Sequence, residues 1–287
     1  MQRRDIPTMN LAPLLLTALF GLLLLAYAPM YISWGETQVA RAELISWLYA
    51  SLATSAIYAV AFYVVLRHLA NYWKAAPPTA RNTFTAAISF FLMGTLIVIS
   101  HTSTTGGLAN NLLDHLMRNP TVGRIVSQHG LCAASYIGLI NIAIFLMSWG
   151  LQQLDARRLG MVLRDIRTLM YSSAAVMALT VFQFNRLIAW GAVYKGAGEA
   201  VVAAYTVGTG LIFSLLLLFI FGPSMFTADR RLGELLAAAT IDTKLDKEIW
   251  LIKNNISVVP FQEITALTGF ALPLLSALAS NAIPGAK

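Results

Sequence analysis

Six apolar runs, each long enough to cross a lipid bilayer as a helix, constrain the fold of this chain more than any other feature. They cover residues 11–34, 44–66, 84–101, 131–151, 169–194 and 200–221. A helix needs about 20 apolar residues to cross the hydrocarbon, whereas a barrel strand needs about 10. Backbone groups in lipid must bond within the chain, so runs of this length indicate helices. The sequence therefore predicts an all-α, polytopic membrane protein with six transmembrane helices.

The composition agrees with a lipid environment for most of the chain. Hydrophobic residues make up 57% and charged residues 11%, whereas about a quarter of the residues of a soluble domain are charged. Six spans leave no room for a large soluble domain. We therefore predict a transmembrane domain at residues 1–225 and a cytoplasmic helical tail at 226–287, associated with the membrane or with another subunit.

The distribution of basic residues predicts the orientation. Most of the 20 lysine and arginine residues fall on one side of the membrane if both termini are cytoplasmic, as the positive-inside rule requires. We therefore expect an inner-membrane protein of the bacterial type. The net charge of +7 is explained by topology and by anionic headgroups, and nucleic acid is not expected as a partner. The candidates for contact with lipid headgroups are Arg157, Arg158, Arg164 and Arg167.

Two other patterns concern the packing of the spans. Aromatic residues near the predicted span ends, Trp47 and Trp190 among them, are expected to anchor at the membrane interface. Pairs of small residues four apart predict close approach of helix backbones. These pairs are Ser51 with Ser55, Ala204 with Gly208, and Thr206 with Gly210.

The tail carries two further helical patterns. Gly222-Pro223 is predicted to end the sixth span, and the mixture of charged and apolar residues at 229–256 is typical of an amphipathic helix. At 264–282 apolar residues recur every three or four positions, around Pro273. Because of this proline and the small side chains, we expect an interfacial or subunit-packing helix there rather than another span.

The fifth run, 169–194, differs from the others because it carries Gln183, Asn185 and Arg186 just past its middle. A basic side chain at the bilayer centre costs roughly 2.5 to 3.5 kcal/mol on insertion scales, unless it reaches the headgroups. Gln183 lies one turn from Arg186, and Thr180 extends the same face, whereas Asn185 points elsewhere. Two polar directions from one helix predict that it is buried inside a bundle.

The partner of Arg186 decides how this polar face is interpreted. The candidates are Asn141 in the fourth span and the predicted outside carboxylates Glu36, Glu43, Asp114 and Glu199. No predicted span has a central Asp or Glu, although cation pathways commonly use them. The face is therefore either a structural lock or the lining of a pore or ligand cavity, and an arginine in a pore would favour anions.

Three histidines form a second candidate site. His101, His115 and His129 are predicted on the outer side, with Asp114 beside His115. These side chains suit zinc or copper, and His101 with His129 would suit haem. Their wide spacing does not match a local metal motif, so ordinary hydrogen bonding is the alternative and no cofactor is assigned.

The sequence contains no nucleophile elbow, phosphate loop or metalloprotease helix, so it gives no positive indication of an enzyme. Our leading hypothesis is a non-enzymatic, oligomeric channel-forming or membrane-permeability component whose fifth span lines or gates a path. The alternative is an accessory or sensor subunit of a larger membrane complex, and the third hypothesis is a metal- or haem-binding protein. The expected partners are the lipid bilayer and either further copies of the chain or subunits of a complex.

Overall fold

The computed structural model describes residues 38–75, 77, 79, 113, 116, 118–239, 241, 243–254, 256 and 261–282. Within these residues the α-helices are α1 Gln38–Ala75, α2 Pro120–Ser148, α3 Ala156–Lys195, α4 Glu199–Ala238, α5 Lys244–Lys253 and α6 Phe261–Ala282. A short 3-10 helix, Leu151–Gln153, joins α2 to α3. The described residues contain no strand, so the predicted all-α class is confirmed for this part of the chain.

Four of the helical segments are long and apolar enough to cross a membrane. They are Arg41–Lys74, Pro120–Gln153, Ala156–Lys195 and Glu199–Ala238. These segments contain the predicted spans 44–66, 131–151, 169–194 and 200–221. The predicted spans 11–34 and 84–101 lie outside the described residues. The four helices indicate a polytopic membrane protein.

Helix α3, which contains the polar fifth run, is the central helix of the described bundle. In its most apolar window 67% of the residues are buried, against 39%, 33% and 28% in the other three candidate spans. Its start is capped by Asp155, whose side chain accepts a hydrogen bond of 2.8 Å from the backbone N–H of Arg158. It ends at Gly196, whose positive φ of 62° suits a glycine. The predicted burial of this helix is confirmed.

Helices α1 and α3 are antiparallel and meet along most of their length. Glu43, near the start of α1, lies beside Arg186, near the end of α3. Tyr72, near the end of α1, lies beside Asp165, near the start of α3. We name the two ends of the bundle after these contacts, the Arg186 end and the Asp165 end.

Helices α1 and α2, by contrast, run parallel to each other. His129 of α2 lies beside Ser55 of α1, and one to two turns further along both helices Tyr136 lies beside Tyr58. Two parallel helices require the chain to return to the Arg186 end between Ala75 and Pro120. The predicted span 84–101 falls in this interval, outside the described residues.

Helix α4 packs antiparallel to α3 and continues further than the sequence predicted. The expected stop at Gly222-Pro223 is wrong, because the helix contains Pro223 and ends at Ala238. Proline removes one backbone donor and crowds the preceding turn, but Pro223 itself is exposed. Phe221, Ser224 and Ala228 are buried on both sides of it, so packing against the bundle favours a continuous helix. The boundary between residues 225 and 226 lies inside α4.

The rest of the tail consists of α5 and α6. Helix α5 is capped by Thr243, whose hydroxyl accepts a hydrogen bond from the backbone N–H of Asp246. Helix α6 packs along both α3 and α4. A helix over 264–282 was expected, but its contacts with two membrane-length helices of the same chain were not.

Candidate functional site

Arg186 lies inside the bundle and faces α1. Only 8% of the residue is exposed. Its Nη1 atom is 3.9 Å from Oε2 of Glu43, and its Cζ atom is 5.2 Å from the centroid of the Phe182 ring. The guanidinium therefore combines a distant ion pair with a cation–π contact. Among the predicted partners of Arg186, the structure places Glu43 beside it.

The pair is held by charge attraction rather than by a hydrogen bond. Within the described residues, Glu43 Oε2 and Arg186 Nε are buried and have no hydrogen-bond partner. The Arg186 and Glu43 side chains are 10% and 17% exposed. Two charges in such a place stabilise each other, yet each retains unused hydrogen-bonding capacity.

Two tryptophans of the same two helices pack against each other. Trp190 follows Arg186 by four residues and Trp47 follows Glu43 by four. Both side chains are fully buried, and their ring centroids are 5.5 Å apart at an interplanar angle of 31°. The prediction that Trp47 and Trp190 anchor at the membrane interface is wrong, because α1 and α3 bury them against each other.

Gln183 continues the polar contacts toward the Asp165 end. Its Nε2 atom donates a hydrogen bond of 2.9 Å to Ser51 Oγ on α1. Ser51 is fully buried, and its carbonyl accepts from Ser55 Oγ at 2.9 Å. The Ser51 and Ser55 pair, predicted from its spacing to mark a close helix contact, thus lies at the contact of α1 with its neighbours.

His129 joins this group from α2. Its Nε2 atom is 3.1 Å from Ser55 Oγ, and its Nδ1 atom is 2.9 Å from the Ile125 carbonyl. A carbonyl only accepts, so Nδ1 carries a proton. Nε2 faces Ser55 Oγ and also lies 3.4 Å from the Ser51 carbonyl. His129 is therefore a hydrogen-bonding residue between helices.

Further along, two tyrosines extend the row of polar contacts. Tyr58 lies 3.2 Å from Thr180 Oγ1, and because that hydroxyl donates to the Val176 carbonyl, Tyr58 is the donor. Tyr136 of α2 lies 3.4 Å from Ser173 Oγ. We call the combined row the polar seam. It consists of Glu43, Ser51, Ser55 and Tyr58 of α1, His129 and Tyr136 of α2, and Ser173, Thr180, Gln183 and Arg186 of α3.

Asn185 points away from the seam, as predicted. Its side chain is buried and donates a hydrogen bond of 2.8 Å to Thr206 Oγ1 on α4. Asn141, in contrast, is exposed and donates to the carbonyl of Ile137 in its own helix. Of the predicted pore or cavity residues, the structure brings Thr180, Gln183 and Arg186 into one seam, gives Asn185 a separate partner and leaves Asn141 outside.

The second candidate site is described only in part. His101, Asp114 and His115 lie outside the described residues, and His129 contacts Ser55 and Ile125. No group of three metal-binding side chains occurs within the part of the chain that the structure describes.

The four predicted headgroup arginines lie near the Asp165 end and differ in their surroundings. Arg157 and Arg164 are exposed, and Arg167 is half-buried. Arg158 lines an open cleft of about 600 Å³. This cleft lies beside Tyr72, whose hydroxyl donates to Asp165 at 2.9 Å. The arginines thus do not share a single site.

The sequence identified Thr180, Gln183 and Arg186 of the seam, but not Ser173 of the same helix or the partners Tyr58 and Tyr136. Tyr58, Tyr136 and His129 make hydrogen bonds there that depend on how three helices are arranged.

Comparisons with protein-family models, curated proteins and solved structures found no match for this chain.

Proposed function

We propose that the protein is a non-enzymatic component that makes a membrane permeable to small ions, and that the polar seam is its conducting element. The observation that carries this proposal is the row of buried and half-buried polar side chains between Arg186 and Tyr58. Hydroxyl, amide, imidazole and charged groups inside a membrane bundle are unfavourable unless paired, and they commonly mark ion pathways.

The length of the seam supports this role. Glu43 and Tyr58 are separated by 15 residue steps, or about 22 Å along α1 at 1.5 Å per residue. The hydrocarbon core is about 30 Å thick, so the seam is long enough to cover most of it.

The Arg186 end of the seam resembles a closed gate. The ion pair lies within the seam, and the tilted, fully buried rings of Trp47 and Trp190 pack against each other on the same two helices. Conduction would require these groups to separate. Because the fixed positive charge of Arg186 attracts anions and repels cations, we propose that small anions pass more readily than cations.

The proposed orientation follows the sequence prediction of six spans, with the N-terminus and the start of the tail in the cytoplasm. Basic residues of the described chain concentrate at the Asp165 end, where Lys74, Arg157, Arg158, Arg164, Arg230, Arg231 and Lys247 lie. The other end has Arg41, Arg118, Arg124 and Lys195. This asymmetry supports a cytoplasmic Asp165 end of a bacterial-type inner membrane. A homo-oligomer is proposed as the assembled form.

Ion flux into liposomes containing the purified protein tests the proposal. The informative variant is Glu43→Gln with Arg186→Leu, which removes both charges and leaves neither buried alone. We expect the preference for chloride over potassium to fall roughly tenfold, which corresponds to about 1.4 kcal/mol. Asn141→Leu is the matched control, because it removes an exposed polar side chain of the same bundle, and it should retain the wild-type preference.

Assembly of each variant is checked by size-exclusion chromatography before flux is measured. A correctly assembled double variant with wild-type selectivity would contradict the role of the ion pair. Wild-type liposomes that are no more permeable than empty ones would contradict the conducting role altogether.

The alternative function is an accessory or sensor subunit of a larger membrane complex. Its docking surface would be one face of α4, where Ile212, Phe219 and Phe226 are 63%, 73% and 74% exposed. These residues are spaced by seven and therefore share one side of the helix. Purification from its native membrane distinguishes the two functions, since a stable hetero-complex supports the alternative and a homo-oligomer supports the proposal.

A further inference from the structure

Helix α6 has two apolar faces of different kinds. One face consists of the small residues Gly269, Pro273 and Ala277, which are buried. The other carries Leu272, Leu275 and Leu278, which are 37%, 47% and 51% exposed. A helix lying at a water interface would present polar side chains on its exposed side. Leucines on the exposed side instead suit contact with hydrocarbon.

The contacts of α6 with α3 fix its direction. Gly269 lies so close to α3 that an added Cβ atom would be 3.2 Å from Met170 Cε. Seven residues later, Ser276 Oγ donates a hydrogen bond of 2.9 Å to the Ala178 carbonyl. Helix α6 therefore runs parallel to α3, from the Asp165 end toward the Arg186 end.

The contacts with α4 are closer still. A Cβ atom added to Gly210 would lie 2.7 Å from Ala277 Cβ and 2.9 Å from the Pro273 carbonyl oxygen. One turn further along α4, Ser214 Oγ accepts a hydrogen bond of 3.3 Å from the Leu274 backbone N–H. Close backbone approach through small residues is typical of helix packing in membranes. The predicted close packing at Gly210 is thus made with the chain's own tail.

We propose that Phe261–Ala282 is a membrane-inserted helix, which enters the bilayer from the Asp165 end and reaches about half way along the membrane part of α3. Its partners, Ala178 and Gly210, lie within the apolar runs 169–194 and 200–221. Any membrane that contains those runs therefore also surrounds this part of α6. The inference depends on the placement of α3 and α4 in the membrane and does not depend on ion conduction.

The preceding helix fits an entry point at the membrane surface. In α5 the apolar residues Leu245, Ile249 and Ile252 are 65%, 53% and 66% exposed. Their spacing of four and three places them on one side, while Lys247 is also exposed. A short helix with this pattern lies along the headgroup boundary. The chain can then turn from α5 into the bilayer.

The end of α6 reaches the depth of the Asn185–Thr206 pair. Ala282 follows Ser276 by six residues, or about 9 Å, which brings it level with the region of Asn185. Carbonyl groups in the last turn of a helix have no partner within the helix, and in a membrane they require polar groups or water. The Asn185–Thr206 pair supplies polar groups at this level.

Thiol labelling in open membrane fragments tests the inference. Cys132 is exposed, so it is first replaced by serine. Leu275→Cys and Lys247→Cys are then treated with a membrane-impermeant maleimide. We expect Leu275→Cys to react at least about tenfold more slowly, because a thiolate forms poorly in an apolar environment. Equal rates would overturn the inference.

A pair of glycine variants tests the packing that holds the segment. Gly210→Leu places a side chain where α6 packs, whereas a Cβ atom at Gly208 meets nothing within 4 Å. With Leu275→Cys as reporter, Gly210→Leu should speed labelling several-fold toward the Lys247→Cys rate, and Gly208→Leu should not. Slow labelling in both glycine variants would contradict the inference that packing against Gly210 holds α6 in place. Because labelling is measured without flux, these outcomes are independent of the conducting role.

Discussion

At the scale of single residues, the ion pair of Arg186 and Glu43 organises the site. The guanidinium is buried among apolar and aromatic side chains, so its charge needs a counter-charge nearby. Glu43 provides one at 3.9 Å, and the Phe182 ring adds a weaker contact. Replacing either residue alone is expected to destabilise the protein, because the remaining charge would be buried without compensation.

This dependence predicts that the effects of the two substitutions on stability are not additive. Arg186→Leu alone should lower the free energy of unfolding by about 3 to 5 kcal/mol, the usual effect of breaking a buried pair. Combining it with Glu43→Gln should restore much of the loss, because no unpaired charge remains. Thermal unfolding in detergent measures both. A double variant as unstable as the sum of the two single variants would contradict the pairing.

The sequence predicted part of this arrangement. The helical period placed Gln183 on the face of Arg186 and turned Asn185 away, and the structure gives the two residues partners on different helices. The sequence could not identify which of four carboxylates or Asn141 is the partner of Arg186, because the partner depends on which helix packs against α3. The burial of Trp47 and Trp190 also depends on which helices pack together. The sequence alone therefore predicted these residues at the membrane interface.

At the scale of helices, packing overrides local breaking residues. Pro223 and Pro273 both lie inside helices, although proline in a helix interior disfavours the helix by about 3 kcal/mol. In α4 the turns on both sides of the proline bury side chains, and in α6 Pro273 itself packs against Gly210. Local propensity could therefore predict helices at 200–221 and 264–282. It could not predict that the first continues to Ala238 or that the second packs against α3 and α4.

The exposed proline of α4 provides a test of this balance. Pro223→Ala restores the missing N–H and removes the clash with the preceding turn, without removing a packed side chain. We expect the free energy of unfolding to rise, by up to about 3 kcal/mol, in a thermal scan in detergent. A lower stability than wild type would mean that a bend at Pro223 is required for packing.

At the scale of the whole molecule, direction and charge together define two ends. Helices α1, α2 and α4 run from the Arg186 end to the Asp165 end, and α3 runs in the opposite direction. The basic residues concentrate where α1, α2 and α4 finish. Apolar periodicity could predict the helical class and the four described spans. It could not predict a tail helix that lies against two of them, because that contact uses small residues, which carry little hydropathy.

The central claim is that ions pass along the polar seam, and cysteine block tests it most directly. In a variant lacking Cys132, Ser55→Cys places a thiol in the seam. Val60→Cys places one on the same helix at a position that is 56% exposed on the outside of the described bundle. We predict that a small, charged thiol reagent reduces chloride flux through Ser55→Cys liposomes by roughly tenfold, because a charge fixed in a narrow path blocks it, and leaves the Val60→Cys flux unchanged. Undiminished flux in Ser55→Cys liposomes, with labelling of the cysteine verified by mass spectrometry, would contradict the claim.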